Sequence, residues 1–426
     1  MKKVAFYTLG CKVNQYETNG MIQKLMDDFE IVDPDDGADI YIINTCSVTN
    51  MSDRKSRQML RRAKEKNPDA MVIAVGCYAE TAKDEIEKIP EVDLVLGNHQ
   101  KANIKSYINA YYEGKNIDDE AIENYFYDFG TITYTEKTRA VIKVQDGCNN
   151  FCTYCIIPYA RGRICSRLPE SVLNEIKQIA KNGIKEVVIT GIQVSAYGKE
   201  FDNDYRLIDL LEDINKIDGI ERIRLGSLEP LLITDEFCNR LKKVNKMCHH
   251  FHLSLQSGCD KTLKEMNRKY TTSQFEDVVN RLRNLYSDVI LTTDIIVGFP
   301  NETEEDFKET FEFLKKIKFY KMHVFKYSPR KGTVAAKMKN QVAGNIKEDR
   351  SRILINLSNE NEKEYLKQYV GKKVSVLFEE KENEYVKGHT ANYIMVKSKI
   401  DEECLNEIVP IKITESDDEF LIGEKE

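Results

Sequence analysis

RAVIKVQDGCNNFCTYC, residues 139–155, joins an apolar, strand-like run to a C-x3-C-x2-C triad of Cys148, Cys152 and Cys155. Three thiolates are one short of the four that normally hold an electron-transferring four-iron cluster, so this spacing leaves one iron open to an exchangeable ligand. An open iron is a place for chemistry. Zinc is the weaker account, because structural zinc ligands usually come as two pairs and no second C-x2-C or H-x3-H pair follows downstream.

Outward from this stretch, six apolar runs alternate with amphipathic helical segments between Arg139 and about Arg330: RAVIKV, KEVVIT, RIRLGS, HFHLSL, VILTTDIIV and KMHVFKYS. Strand alternating with helix predicts parallel strands, here a (βα)6 partial barrel. Its site is expected at the strand C-termini, where the residues are polar or small: Asp146, Gly147, Gly191, Gln193, Ser227, Glu229, Gln256, Ser257, Asp294, Tyr327 and Ser328. Any one of these is equally well a loop cap; together they line a mouth.

The first ninety or so residues show a βαβ rhythm, with β-rich stretches at Val4 to Leu9, Ile40 to Ile43 and Met71 to Val75. Each ends in a cysteine beside Gly or Thr: Cys11, Cys46 and Cys77. A single free cysteine is usually just a buried residue. Three at equivalent strand ends are different, because in an open parallel sheet the carboxyl ends of the strands form the ligand crevice. The geometry predicts a second three-cysteine set.

The runs LGCKVNQYET, NTCSVT and VGCYAE, followed by DGCNNFCTYCIIPYARGR, resemble the methylthiotransferase branch of the radical S-adenosylmethionine enzymes over essentially the whole chain. That resemblance implies an α/β chain of three domains: an N-terminal parallel α/β domain (1–130), a radical SAM partial TIM barrel (134–365) and a small antiparallel β-barrel, the TRAM module (366–426). It implies two four-iron (4Fe-4S) clusters, an auxiliary one on Cys11, Cys46 and Cys77 and a radical-generating one on Cys148, Cys152 and Cys155. S-adenosylmethionine would bind the open iron of the second and be cleaved to a 5′-deoxyadenosyl radical, while another molecule of it methylates sulfur on the auxiliary cluster. The backbone at Tyr154 would meet adenine, Gly191 to Gln193 the methionyl amino group, and Ser227 with Glu229 the ribose or sulfonium; Gln256 and Asp294 complete the mouth.

GCKVNQYET and CIIPYARGR are most similar to the branch that modifies N6-threonylcarbamoyladenosine at position 37 of tRNA, at C2 of the base, with Lys12 and Val13 in place of the Gln-Met or Pro-Lys pair of the other branches. Isopentenyladenosine-37 and an aspartate of a ribosomal protein are the alternative substrates; a non-catalytic iron-sulfur redox or RNA-binding protein is the remote one. An external electron donor such as flavodoxin or ferredoxin is implied.

Charge argues against a bulk attraction to RNA, since the chain is net −7 and residues 366–426 carry nine Lys or Arg against fourteen Asp or Glu, net −5. A local basic face must serve. SDRKSRQMLRRAKEK, Ser52 to Lys66, has seven basic residues against two acidic ones, and a helix with Met59 and Leu60 facing in exposes Arg54, Arg57, Arg61 and Arg62. Arg161 and Arg163, with Arg167, follow the cluster loop, and arginine suits phosphate oxygens. Lys12, Asn14 and Gln15 lie beside the expected crevice. These residues are the expected contacts to the anticodon loop.

Eleven cysteines, an odd number, in a chain with no apolar run near the roughly 20 residues of a membrane span point to metal ligands and free thiols in a cytoplasmic protein. Cys165, ten residues past Cys155, falls outside the triad and is expected to be a free cysteine, whereas Cys238, Cys248, Cys259 and Cys404 lack any ligand spacing and are expected to be structural.

Overall fold

The computed structural model describes residues 1–117, 125–134 and 138–425. At the N-terminus, β1 (Lys3–Thr8), β2 (Glu30–Ile31), β3 (Ile40–Thr45), β4 (Met71–Gly76) and β5 (Leu94–Leu96) form an all-parallel sheet in the order β2-β1-β3-β4-β5. Every residue of β3 and β4 is buried, as the near-continuous apolar sequences IYIINT and MVIAVG require of strands covered on both faces. The period of two divides them cleanly. Ile40 and Ile42 pack with Tyr16 and Leu25 of α1 (Lys12–Leu25), whereas Tyr41 and Ile43 pack with Leu60 and Ala63 of α2 (Asn50–Lys66). The Thr49 hydroxyl caps α2 by accepting from the Ser52 amide at 3.1 Å.

The central domain holds the six expected parallel strands, β6 (Arg139–Asp146), β8 (Glu186–Gly191), β9 (Arg222–Leu225), β10 (His250–Gln256), β11 (Ile290–Val297) and β12 (Lys321–Lys326), plus β7 (Cys165–Ser166), which was not expected. β7 runs antiparallel to β6, pairing Asp146 with Cys165. Order β7-β6-β8-β9 continues into β10-β11-β12 through a parallel bridge between Leu228 and Leu253. β6 and β12 do not pair, so the barrel is open on that side.

Outward residues such as Ile142, Ile189, Leu225, Leu253 and Ile295 form one core under the surrounding helices. The inward positions of the same strands are polar and touch one another. Arg224 Nε donates to Glu186 at 2.7 Å, a His250 ring nitrogen lies 3.1 Å from the Thr292 hydroxyl, and His252 stands 3.2 Å from Asp294. Sealed (βα)8 barrels fill this space with branched aliphatics; here it is a polar well.

The helix Gly344–Lys367 runs through the expected boundary at 365/366 and leads to β13 (Lys373–Glu382), β14 (Tyr385–Thr390), β15 (Met395–Ser398), β16 (Ile408–Ser416) and β17 (Leu421–Lys425). They close into a barrel that is antiparallel except where β15 pairs with β17 in parallel. This small barrel docks on the floor of the central one. Arg222 donates to the carbonyls of His389 and Ser375 at 3.0 and 2.8 Å, Arg139 pairs with Glu379 at 2.7 Å, and Tyr393 is wedged against the Arg139 and Arg224 guanidinium groups at 5.0 and 4.5 Å. Tyr393 holds φ at +71°, an uncommon conformation for a bulky side chain that persists only where its surroundings fix it.

Candidate active site

Where β6 ends, Gly147 takes φ +68°, and a Cβ there would meet the Arg163 carbonyl oxygen at 1.8 Å. Only glycine passes under that carbonyl, and the turn sends the chain into the cysteine loop with the Cys148 amide donating to Gly162 at 3.1 Å. The loop is then tied from the far side of the barrel. Asn267 Nδ2 donates to the carbonyls of Asn150 and Phe151 at 3.2 and 3.0 Å, and the Thr153 hydroxyl donates to Glu265 at 2.9 Å. We expect Gly147→Ala to cost at least about 2 kcal/mol, from left-handed strain plus the clash. Faster alkylation of Cys148 and Cys152 in metal-free protein, with a lowered Tm, would show it; unchanged alkylation would mean the loop seats without glycine.

A cavity of about 300 Å³ lies over this loop, lined by Cys148, Cys152 and Cys155 and by Tyr154, Gln193, Ser227, Glu229, Gln256 and Asp294. Val48 and Thr49, just past Cys46, line it from the first domain. Among the anticipated cofactor residues only Gly191 stands back from it; a Cβ at Gly191 would meet Gln145 at 2.9 Å, so its small size serves strand packing. The Cys148 thiol donates to Gln193 Oε1 at 3.3 Å. Burial pushes the Cys148 thiol up to about 11 and Cys155 up to about 12, with neighbouring loop thiols adding to each.

Arg268, which the sequence did not single out, organises the opposite wall. Its Nη1 contacts Cys152 Sγ at 3.2 Å and its Nη2 grips both Glu229 oxygens at 2.9 and 2.8 Å. A charged pair of this geometry fixes Glu229 at the rim.

Cys11, Cys46 and Cys77 follow β1, β3 and β4, three neighbours in the sheet. A Cβ on Gly10 would lie 2.8 Å from Cys46 Sγ, so the turn before Cys11 presses against the second thiol. Burial raises the Cys11 and Cys46 thiols, and Cys77 is near enough to raise both further. Among the described residues no three His, Cys, Asp or Glu side chains gather tightly enough for a single metal ion. Three thiols on neighbouring strands, spaced about 4.8 Å apart, are a donor set that a four-iron cube with three thiolate ligands would fit; the loop triad would fit on the same terms.

A buried charge network spans the two cysteine sites. Glu17 of α1 accepts from Lys101 at 2.6 Å and from Lys143 and Arg161 at 2.7 Å each, while Asp146 pairs with Arg161 at 3.0 Å. Arg161 Nε reaches Cys77 Sγ at 3.2 Å. Burial alone would raise the Glu17 carboxyl, but Arg161, Lys101 and Lys143 outweigh it and hold it well below the usual range; Asp146 is lowered in the same way.

Burial corrects three expectations, for Arg161, Asn14 and Arg167. Arg161 is not an RNA contact, for its side chain is fully buried between Glu17, Asp146 and Cys77. Asn14 is 1% exposed and spends its amide on the carbonyls of Leu9 and Thr45 at 2.7 and 3.0 Å, so it shapes the cysteine turn instead. Arg167 is likewise buried, against Glu175 and Asp128. Arg54, Arg61 and Arg163 are exposed, and Arg163 lies 4.4 Å over the Phe151 ring. Arg57 is half-buried and donates to the Tyr78 hydroxyl at 2.7 Å, and Arg62 pairs with Asp35 at 3.2 Å. Gln15 donates to Asn19 at 3.2 Å, and Lys12 stands near Tyr393, Arg224 and Arg139 on the open side of the barrel. Cys165 is buried at β7, its thiol pushed up to about 12 by burial first and Asp146 second.

Open barrel, three-thiol loop and cavity define a radical SAM protein, and residues 142–314 match the model of the Radical SAM superfamily. Residues 3–97 match the uncharacterized protein family UPF0004. Over 425 residues, 97% of this chain and 94% of the other, the sequence is 43% identical to the threonylcarbamoyladenosine tRNA methylthiotransferase MtaB of Bacillus subtilis. It is 43% identical to MtaB of Aquifex aeolicus over 93% of this chain and 96% of that one. A tRNA-2-methylthio-N(6)-dimethylallyladenosine synthase of Clostridium botulinum is 35% identical over 98% of this chain and 96% of its own. The chain belongs to the methylthiotransferase family of radical SAM enzymes. Its fold resembles the radical S-adenosylmethionine methyltransferase TsrM of Kitasatospora setae, at a TM-score of 0.56 and 16% identity, covering 77% of this chain and 74% of that one. No helix among the described residues is long and apolar enough to cross a membrane.

Proposed function

We propose that this enzyme adds a methylthio group to C2 of N6-threonylcarbamoyladenosine at position 37 of tRNA. The observation that carries the reading is the pair of three-thiol sets, one on the strand ends of each of two domains, with Val48 and Thr49 of the first domain closing the cavity over the thiols of the second. The higher identity to the two MtaB relatives than to the dimethylallyladenosine synthase supports the threonylcarbamoyl substrate. Cys148, Cys152 and Cys155 would hold the four-iron cluster that receives S-adenosylmethionine, and Cys11, Cys46 and Cys77 the auxiliary one. Bound there, S-adenosylmethionine supplies on one-electron reduction a radical able to take hydrogen from an unactivated carbon.

The chain's own residues position and shelter that chemistry. Gln193, Ser227, Gln256 and Asp294 offer polar partners at the cavity rim, and Glu229 is fixed there by Arg268. The Tyr154 ring packs beside Phe299 and Tyr327 and closes one wall against water. Arg54, Arg61 and Arg163, with Arg57, Lys12 and Gln15 at the crevice edge, are assigned to the anticodon loop, whose bases splay out at low cost. Residues 1–130, 134–365 and 366–426 act as the sulfur-carrying, radical-generating and TRAM domains, in the cytoplasm, with a flavodoxin or ferredoxin as electron donor.

The test is mass spectrometry of nucleosides from threonylcarbamoylated tRNA after anaerobic incubation with the cluster-reconstituted, reduced enzyme and S-adenosylmethionine. The expected product is the 2-methylthio nucleoside. Its absence alongside 5′-deoxyadenosine release would move the substrate to isopentenyladenosine or a ribosomal protein.

A further inference from the structure

The polar well of the central barrel has a feature that the chemistry at its rim leaves unused. Arg224 is 2% exposed, and although its Nε is paired with Glu186, neither Nη nitrogen has a hydrogen-bond partner among the described residues. His250 Nδ1, close by, is also without one. A buried donor left unmet costs roughly 1–3 kcal/mol, more for a charged group, so two on one guanidinium call for a partner. Tyr393 closes the well below Arg224 at 4.5 Å.

From the open side, between β6 and β12, Lys12 reaches toward the same spot. Arg224 and Arg139, the Tyr393 hydroxyl and the Cys11 thiol are its neighbours, and among the described residues no hydrogen bond or ion pair engages its ammonium. Four cations, Lys12, Arg139, Arg222 and Arg224, thus face two carboxylates, Glu186 and Glu379. The excess is positive: Glu186 Oε2 is also without a hydrogen-bond partner, but one oxygen cannot meet both Nη nitrogens of Arg224 and the Lys12 ammonium.

We propose that this well is an anion subsite that takes the carboxylate of the substrate's N6 substituent, with Lys12 and Arg224 reading it. The inference rests on the threonylcarbamoyl reading and extends it. Ser227 lines the cavity and Arg224 lies three residues earlier along the same chain, about 10 Å down the strand direction. From N6 to its carboxylate the threonylcarbamoyl arm spans about 5 Å when extended, so it covers the upper half of that depth and the long Lys12 and Arg224 side chains cover the rest. Polar steps lead the way, from Asp294 at the rim through His252 and Thr292 to His250. A hydrocarbon arm of similar length would leave the cations unpaired, which is how a site built for a polar group rejects an analogue lacking it.

The experiment compares two anticodon stem-loops, identical except that the threonylcarbamoyl group on A37 ends in a free carboxylate or in the carboxamide. With the reconstituted wild-type enzyme, kcat/KM should be at least about 100-fold higher on the acid, the range seen when one partner of a buried charge pair is truncated. In Lys12→Gln and in Arg224→Lys that ratio should fall below about tenfold. Using the ratio within each variant cancels partial cluster loss, and Arg224→Lys keeps a cation for Glu186 should Lys12→Gln disturb the neighbouring Cys11. Equal turnover of acid and amide by the wild type overturns the subsite while leaving the proposed function standing. A wild-type preference that both variants keep in full also overturns it. Failure of the wild type on both stem-loops, with 5′-deoxyadenosine still released, overturns the proposed function itself.

Discussion

Cys77→Ala should keep cleaving S-adenosylmethionine and lose the methylthiolated nucleoside, whereas Cys152→Ala should lose both. The two thiols belong to different domains: Cys152 lines the cavity and touches Arg268, while Cys77 begins the helix after β4 and touches Arg161. Cys77 reaches the loop only through the Arg161–Asp146 pair, and coupling within such a network amounts to about 0.5–3 kcal/mol, so 5′-deoxyadenosine release by Cys77→Ala should persist at a measurable fraction of the wild-type rate. The nucleoside product should fall to background, because the atom to be donated has lost its seat. Both products are quantified from the same quenched reaction. Loss of cleavage in Cys77→Ala would tie the two thiol sets into one functional unit, and retained cleavage in Cys152→Ala would remove the loop from radical generation.

The second large effect concerns stability. Glu17→Gln leaves the buried Lys143 and Arg161 with Asp146 alone, and Lys101 with no ion-pair partner among the described residues. Breaking a buried ion network by removing one partner costs about 3–5 kcal/mol, which for domains of this size lowers Tm by roughly 6–20 °C. Calorimetry on the metal-free protein would detect it. The pH dependence provides an independent check. The carboxyls of Glu17 and Asp146 are held below their ordinary values, so the stability they add is present above the unfolded values of about 4.3 and 3.9 and is lost as pH falls through the lower native ones. Below about pH 4 the Tm of the wild type should therefore drop more steeply than that of Glu17→Gln. Parallel slopes and equal Tm would show the network to be energetically idle.

Strand-end cysteines and alternating apolar runs made much of this fold legible, because both are local patterns. β1, β3 and β4 end within two residues of the anticipated positions, and the six parallel strands of the barrel are those read from RAVIKV through KMHVFKYS. β7 escaped notice since two residues, Cys165 and Ser166, carry no periodicity. The charge network was illegible for a different reason: Glu17 and Lys143 are 126 positions apart, and a charged residue on a helix reads by default as a solvated one. Clues existed. Lys143 interrupts the apolar run AVIKV of β6, and Glu17 sits between Tyr16 and Thr18, both inside. The same default put Arg161 on the surface with Arg163, although one side chain is buried and the other exposed. Arg268 offered no motif; its role exists only because the fold brings it to Cys152, 116 positions away.

Tyr393, wedged under the central barrel in a backbone conformation its own side chain disfavours, makes the terminal domain a stopper. A well plugged at its base is entered from the rim and the open side but not from below. A chain ending before β13 would instead carry an open pipe through the centre of its radical-forming domain, with solvent free to enter from below and quench what forms above. The last domain would then matter to the reaction even if it never touched RNA.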